Sequence, residues 1–147
     1  MGDLSPHFSR KEFRCPCGCG SDNISMDLVN GLEILRTIVG VPILINSGVR
    51  CASHNADVGG GTHSQHLLGN AADIRSSQTP ISELWKFARN IFDKGGIGVY
   101  VNPDFLHLDV RDGAARWGSV DGQAVAYRQA VSAMLGEEEE PEEQGSA

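Results

Sequence analysis

Hydrophobic positions recur at helical spacing in two stretches of the chain. From Ser25, large apolar residues return every three or four positions, which predicts a helix with Ser25 as its N-cap and Gly40 as its stop. A second helix is predicted after Thr79, its cap, with Pro80 at the first position and Lys94-Gly95 at the end. Its apolar face consists of Ile81, Leu84, Trp85, Ala88, Ile91 and Phe92.

Shorter apolar runs predict strands at residues 42–45, 71–74, 97–101 and 105–110. Asn102-Pro103-Asp104 joins the last two as a hairpin-like turn, and a final helix is predicted over residues 123–135, stopped by Gly136. Together these helices and strands predict an α+β domain, in which helices pack against a small, largely antiparallel sheet.

Residues 47–70 show no regular pattern. They contain Gly59-Gly60-Gly61, three of the five histidines and few large apolar side chains. A loop of this length is uncommon in a compact domain and is usually functional or disordered. The residues before position 24 are also irregular, and Phe8 and Phe13 are expected to anchor this N-terminal arm (residues 1–23) to the core.

Composition restricts the class of protein. The chain has 147 residues, which favours one domain and a monomer, and its net charge is −7. Six glutamates lie in the last eleven residues, so the rest is nearly neutral and lacks the basic surface of a nucleic-acid-binding protein. We therefore predict a folded domain at residues 1–136 and an acidic, disordered tail at 137–147. No apolar run approaches the ~20 residues that span a bilayer.

His66, Asp73 and His107 form the candidate metal-ligand set. His66 leaves the glycine-rich loop, Asp73 follows seven residues later in a predicted strand, and His107 lies inside another strand. Two imidazoles and one carboxylate leave one position of a tetrahedral zinc ion open, which is the catalytic pattern, whereas magnesium and calcium prefer oxygen ligands. The competing interpretation is a protein whose histidines are incidental, because such spacing also arises by chance.

Several short motifs surround these residues. They are Ser47-Gly48-Val49-Arg50, Asn55, Val58-Gly59-Gly60, Ser64, His66, Gly69, Ala71, Asp73-Ile74, Gly96-Ile97-Gly98-Val99-Tyr100 and Phe105 to Asp109. In this order they resemble the zinc D-alanyl-D-alanine carboxypeptidases and related peptidoglycan peptidases. The resemblance covers about residues 4–117 and implies the fold shared with lysostaphin-type endopeptidases and the hedgehog domain. It also implies that His66, Asp73 and His107 bind one catalytic Zn²⁺.

The resemblance also suggests roles for Asp104, Arg50 and Ser64, and strand geometry adds Asp109 as a candidate. Asp104 stands three positions before His107, where the family has its general base, although an aspartate there also suits a turn. Asp109 competes for that role, since it lies on the same face of the strand as His107; alternatively it orients a histidine. Arg50 is expected to bind a substrate carboxylate or the scissile carbonyl, and Ser64 to contact substrate, unless they are an ordinary surface arginine and a loop hydroxyl.

Four cysteines form a separate question. Cys15, Cys17 and Cys19 alternate along the arm, and Cys51 follows Arg50. One or two disulfides or a structural zinc are possible, but one-residue spacing is unusual for a zinc-thiolate site. The favoured interpretation is a tether of the arm to Cys51, by a disulfide or by packed thiols.

The sequence thus predicts a zinc metallopeptidase that cleaves a peptide bond in the stem or cross-bridge of bacterial peptidoglycan. The alternative is a catalytically inactive zinc-binding module that binds cell wall or a protein partner. Residues 1–6 lack a basic region followed by an apolar core, so no signal peptide is predicted. We expect synthesis in the cytoplasm and action at the cell wall or in the periplasm, as for an endolysin of phage or prophage origin.

Overall fold

The computed structural model describes residues 2–137, and the predicted acidic tail lies almost wholly outside them. The described chain contains four α-helices, six strands and two short 3₁₀ helices, at Arg10–Phe13 and Gln65–Leu68. The helices are α1 (Met26–Val39), α2 (Ala52–Asp57), α3 (Ile81–Ile91) and α4 (Tyr127–Leu135). The strands are β1 (Leu44–Ser47), β2 (Ala71–Arg75), β3 (Gly96–Val101), β4 (Phe105–Asp109), β5 (Ala115–Val120) and β6 (Gln123–Val125).

The six strands form one sheet in the order β1-β2-β4-β3-β5-β6. The α+β class is confirmed, but the sheet is mixed rather than largely antiparallel, because β5 runs parallel to β3. After β4 ends at Asp109, residues 110–114 cross the beginning of β3, and Ala115 then pairs with Gly96. The sequence-based prediction lacked β5, whose residues alternate only weakly between apolar and polar.

The last predicted helix also needs correction. Residues 123–125 form β6, which pairs with β5 through a two-residue turn, Asp121-Gly122, and α4 begins only at Tyr127. Both turn residues have positive φ, +54° and +80°, as in a type I′ hairpin. Asp-Gly between two short runs is a strong hairpin signal, so the sequence contained the information for this turn.

Three smaller differences concern the ends of elements. β1 begins at Leu44 and is half exposed because it is an edge strand, whereas a buried strand from residue 42 was predicted. Pro80, not Thr79, is the N-cap of α3. The segment predicted to be irregular contains α2 and the second 3₁₀ helix.

The hydrophobic core lies between one face of the sheet and the helices. α1 begins and ends as predicted, with the Ser25 hydroxyl accepting the Leu28 N–H and Gly40 in a left-handed conformation. Phe8 and Phe13 are fully buried in the core, which confirms that they anchor the N-terminal arm. Among the described residues, no helix has the length and apolar character needed to cross a membrane. The core side chains from the sheet are Ala72, Ile74, Ile97, Val99, Leu106 and Leu108.

Candidate metal centre

The opposite face of the sheet carries a row of functional side chains. Strand register places Asp73 of β2 directly opposite His107 of β4, His107 opposite Gly98 of β3, and Gly98 opposite Trp117 of β5. Directly paired residues project on the same face of a sheet. This row therefore lies on the face away from the core helices.

His66 completes the group from outside the sheet. It belongs to the 3₁₀ helix Gln65–Leu68, which Ser64 caps by accepting the His66 N–H at 3.2 Å. Oδ1 of Asp73 lies 3.3 Å from Nε2 of His66 and 3.1 Å from Nδ1 of His107. One ligand atom from each of the three residues lies within 4.8 Å of the others, and all three are buried. This group could hold a metal ion and leave a coordination position for another molecule.

Hydrogen bonds on the outer nitrogens orient both histidine rings. Nδ1 of His66 lies 2.7 Å from the Gly48 carbonyl oxygen, which can only accept, so Nδ1 carries the proton. Nε2 of His107 lies 2.7 Å from Oδ2 of Asp109. The nitrogens left to bind a metal, Nε2 of His66 and Nδ1 of His107, both point towards Asp73. A donor set of this chemistry, with carbonyl and carboxylate partners behind the imidazoles, fits zinc.

Asp109 lies behind His107, away from the cleft. Its side chain is fully buried and accepts hydrogen bonds from the Gly96 N–H at 2.8 Å and from Nε and the backbone N–H of Arg111 at 3.0 Å. Burial raises the pKa of Asp109, but the bonds from His107 and Arg111 outweigh it and hold the pKa well below its ordinary value. This position agrees with the alternative in which Asp109 orients a histidine.

The charges at the centre are mutually stabilising. Burial raises the pKa of Asp73, but hydrogen bonds with His107 and His66 reverse that effect, so the carboxylate stays ionised far below its usual range. For His107, burial lowers the pKa, and the bonds to Asp109 and Asp73 raise it above the usual histidine value. An anionic Asp73 beside two imidazoles supplies the kinds of ligand atom that a divalent cation such as zinc binds.

Arg50 lies beside this group. Its guanidinium is 3.5 Å from Oδ2 of Asp73 and donates to Oδ1 of Asn55 at 3.2 Å and to the Ser47 hydroxyl at 3.3 Å. Asn55 is buried and donates in turn to the Gly61 carbonyl at 3.0 Å. Arg50 is thus held at the centre rather than projecting freely from the surface. Ser64 also lines the cleft, although its hydroxyl caps the 3₁₀ helix.

Asp104 is not brought next to the three candidate ligands. It is exposed at the turn between β3 and β4, where Oδ1 accepts the Asn102 N–H at 2.9 Å. Its neighbours Pro103 and Phe105 both line the cleft, so the turn lies at the cleft rim.

The cleft above the centre has a volume of about 640 Å³. Tyr100 and Phe105 stack in one wall with ring centroids 4.2 Å apart, and the Tyr100 hydroxyl accepts a hydrogen bond from Trp117 at 2.9 Å. Burial raises the pKa of the Tyr100 hydroxyl. His63 also lines the cleft and His54 lies on α2, and neither belongs to the three-residue group.

Trp117 and Arg111 are site residues that the sequence analysis missed. The Trp117 indole lies 4.8 Å from the His107 ring, and the Arg111 guanidinium lies 5.1 Å from the Trp117 ring. A Cβ on Gly98 would come within 2.6 Å of the indole, and one on Gly96 within 2.2 Å of the Asp109 carboxylate. The alternating glycines of β3 therefore make room for the Trp117 indole and the Asp109 carboxylate. This Gly-x-Gly pattern was a sequence signal for Trp117, and Arg111 had none.

A mixed sheet with a buried His-Asp-His group at the base of a cleft defines an α+β protein with a candidate three-residue metal site. The chain matches the family Peptidase M15 over residues 6–109 and belongs to that family, as its motifs predicted. It is 37% identical over 60 residues to the zinc D-Ala-D-Ala carboxypeptidase of Streptomyces albus G. The matched stretch covers 40% of this chain and 24% of that relative, so it spans about a quarter of the relative's length.

Proposed function

We propose that the protein is a zinc-dependent peptidase that hydrolyses a peptide bond in bacterial peptidoglycan. The observation that carries the proposal is the convergence of His66, Asp73 and His107, with both imidazoles oriented from behind, at the base of an open cleft. Membership of the peptidase family and similarity to a protein named for zinc and D-Ala-D-Ala support the same assignment.

His66, Asp73 and His107 would hold the single catalytic zinc ion. When bound, zinc supplies Lewis acidity, which activates water and polarises an amide carbonyl. The residues around it prepare this role: Gly48 and Asp109 fix the two imidazole rings, and Asp73 stays anionic. Such partners behind the ligands maintain the ring orientation and the basicity of the metal-binding nitrogens.

Arg50 would bind the substrate. Its guanidinium borders both the Asp73 carboxylate and the cleft, so it can donate to a peptide carbonyl or a terminal carboxylate placed over the centre. Positive charge there also stabilises an oxyanion that develops as the carbonyl is attacked. Ser64 also lines the cleft and would contribute a hydroxyl to substrate contacts.

Asp104 would be the general base. It would accept a proton from the attacking water and pass it to the leaving amine, so that the peptide bond breaks with the proton on nitrogen. Its carboxylate is exposed on the turn at the rim of the cleft, where Oδ1 accepts the Asn102 N–H and Oδ2 is left for the proton. Asp109 is the less suitable candidate because His107, Gly96 and Arg111 already use its carboxylate.

The test is hydrolysis of purified peptidoglycan by the zinc-loaded protein. New amino groups are expected to appear, to disappear when a chelator removes the metal, and to return with added zinc. Mass spectrometry of the products separates release of a terminal D-alanine from cleavage inside the stem or cross-bridge. Zinc-loaded protein that binds cell walls without releasing amino groups would contradict the proposal and favour an inactive binding module. We expect a monomer that acts at the cell wall or in the periplasm.

A further inference from the structure

The structure brings four cysteines together outside the cleft. Sγ of Cys17 lies 3.5 Å from Sγ of both Cys15 and Cys51, and the Cys15 and Cys51 sulfurs are 3.8 Å apart. Cys19 completes the group, and all four sulfurs lie within 4.8 Å of one another. Three of these residues come from the N-terminal arm, and the fourth is the N-cap of α2.

The backbone of the arm explains how alternating cysteines can meet. In an extended strand, side chains two positions apart are separated by about 7 Å. Here Gly18 and Gly20 have φ of +90° and +85°, a left-handed conformation that turns the chain between and after the cysteines. The one-residue spacing, which counted against a zinc-thiolate site in the sequence analysis, is therefore compatible with four converging sulfurs.

Backbone N–H groups also point at the sulfurs. Cys15 Sγ accepts the Cys51 N–H at 3.5 Å, Cys51 Sγ accepts the His54 N–H at 3.4 Å, and Cys19 Sγ accepts the Ser21 N–H at 3.4 Å. Hydrogen bonds of this kind favour the deprotonated form of a ligand atom. Three separate donors to three sulfurs indicate a site arranged for thiolates.

The sulfur separations distinguish a metal site from disulfides. A disulfide brings two sulfurs to about 2.05 Å, and all four cysteines are free in the structure. Sulfurs bound to one tetrahedral zinc at ~2.3 Å lie about 3.8 Å apart. The three separations among Cys15, Cys17 and Cys51, 3.5 to 3.8 Å, match the second geometry, and Cys19 lies within 4.8 Å of the other three sulfurs.

We propose that Cys15, Cys17, Cys19 and Cys51 bind a second zinc ion, which is structural and closed to substrate. Four protein ligands leave no open position, so this ion would take no part in hydrolysis. Its effect would be to fasten the N-terminal arm to the segment that carries Arg50.

Two further contacts link this fastening to the candidate active site. The Val49 N–H donates to the Phe13 carbonyl at 2.8 Å. The preceding residue, Gly48, accepts the hydrogen bond from Nδ1 of His66 at its carbonyl oxygen. A Cβ on Gly48 would lie 2.7 Å from the Phe13 carbonyl oxygen, so the two segments are in close contact. The thiolate zinc would thus stabilise the backbone that orients one ligand of the catalytic centre.

The experiment counts zinc in the full-length protein by native mass spectrometry and elemental analysis. Wild type is expected to carry two zinc ions per chain. His66→Ala should retain one ion and Cys17→Ser the other, and the double variant should retain none. The count at the thiolate site does not depend on peptidase activity, so this proposal can fail or succeed independently of the proposed function.

Cys17 and Cys19 are suitable positions for the test substitutions, because both are exposed and replacing either side chain removes little packing. Cys19→Ser should lose the thiolate zinc and unfold at a lower temperature, whereas Cys19→His, which supplies another zinc ligand, should restore both. Cobalt substitution in His66→Ala should produce thiolate-to-cobalt charge-transfer absorption, which Cys17→Ser abolishes.

Three results would overturn the proposal. One is wild-type protein with a single zinc that His66→Ala removes. Another is a titration of the denatured protein that finds fewer than four free thiols, since the missing thiols would be in disulfides. The third is iron in place of zinc at the four cysteines.

Discussion

Oδ2 of Asp109 lies 2.7 Å from Nε2 of His107, while Nδ1 of the same ring faces Asp73. One imidazole therefore connects a fully buried carboxylate to the candidate metal centre. Gly96 and Arg111 donate hydrogen bonds to the Asp109 carboxylate and hold it in place. The bond with Asp109 can therefore fix the direction of the His107 ring.

We predict that Asp109→Asn weakens zinc binding at the His-Asp-His group by about 10- to 100-fold, the usual cost of removing such a partner. The affinity is measured by competition with a chelator. Asp112→Asn makes the same chemical change at an exposed position of the loop that follows β4 and should leave the affinity unchanged. Equal affinities for the two variants would show that Asp109 does not orient the ligand.

His66→Ala and His107→Ala are each predicted to lose the catalytic zinc together with peptidase activity, since each removes one of three ligands. Elemental analysis and amino-group release are measured on the same samples. His63→Ala, a substitution of a cleft histidine outside the group, serves as the control and should keep its zinc. Full zinc occupancy in the first two variants would refute the ligand assignment.

Asp104→Asn should keep zinc and lose turnover by about 10²- to 10⁴-fold, because it removes a proton acceptor without removing a ligand. The comparison is kcat at equal zinc loading. If Asp104→Asn is almost fully active while Asp109→Asn is inactive with its zinc bound, then Asp109 is the base.

Gly98→Ala is predicted to destabilise the protein by about 1 to 3 kcal/mol, because the new methyl group overlaps the Trp117 indole and forces the ring to move. Denaturant unfolding gives the stability, and tryptophan fluorescence reports the moved ring. Gly61→Ala is the matched control, since a Cβ there meets no atom within 4 Å and its φ is not positive. Unchanged stability in Gly98→Ala would mean that the indole is not fixed by this close packing.

The Glu33 carboxylate is expected to stabilise the folded protein in a pH-dependent way. Burial raises the pKa of its carboxyl group, but hydrogen bonds with His7 and Ser5 outweigh burial and lower the pKa in the folded state. A carboxylate whose folded pKa is lowered stabilises the fold above the unfolded pKa, and this contribution disappears as pH falls through the folded pKa.

Glu33→Gln should therefore destabilise the protein by about 1 to 2 kcal/mol at neutral pH, and the difference from wild type should shrink in acid below the ordinary carboxyl pKa. Unfolding free energies across this pH range measure the effect. Glu83→Gln, at an exposed ion pair with Lys86, should have little effect at any pH. A constant difference down to the lowest pH would contradict the linkage.

The helices with long periodic patterns and the β3–β4 hairpin were predictable from the sequence, and so was the grouping of His66, Asp73 and His107. Their role as zinc ligands stays a prediction. α1 has a hydroxyl cap, a regular apolar face and a glycine stop, all of which act within a few residues of one another. Such local signals are readable without knowledge of the fold. The three candidate ligands were identified because their residue types and motifs are distinctive.

Tertiary structure alone decided how distant segments meet. The sequence did not show that β5 pairs parallel to β3, that Trp117 crosses Gly98 to reach His107, or that Asp109 is buried behind the same ring. It also left the four cysteines without an arrangement, which the turns at Gly18 and Gly20 and the position of Cys51 provide. The physical reason is that these contacts depend on strand register and chain crossing, and both are set by packing of the whole sheet against its helices rather than by any local pattern.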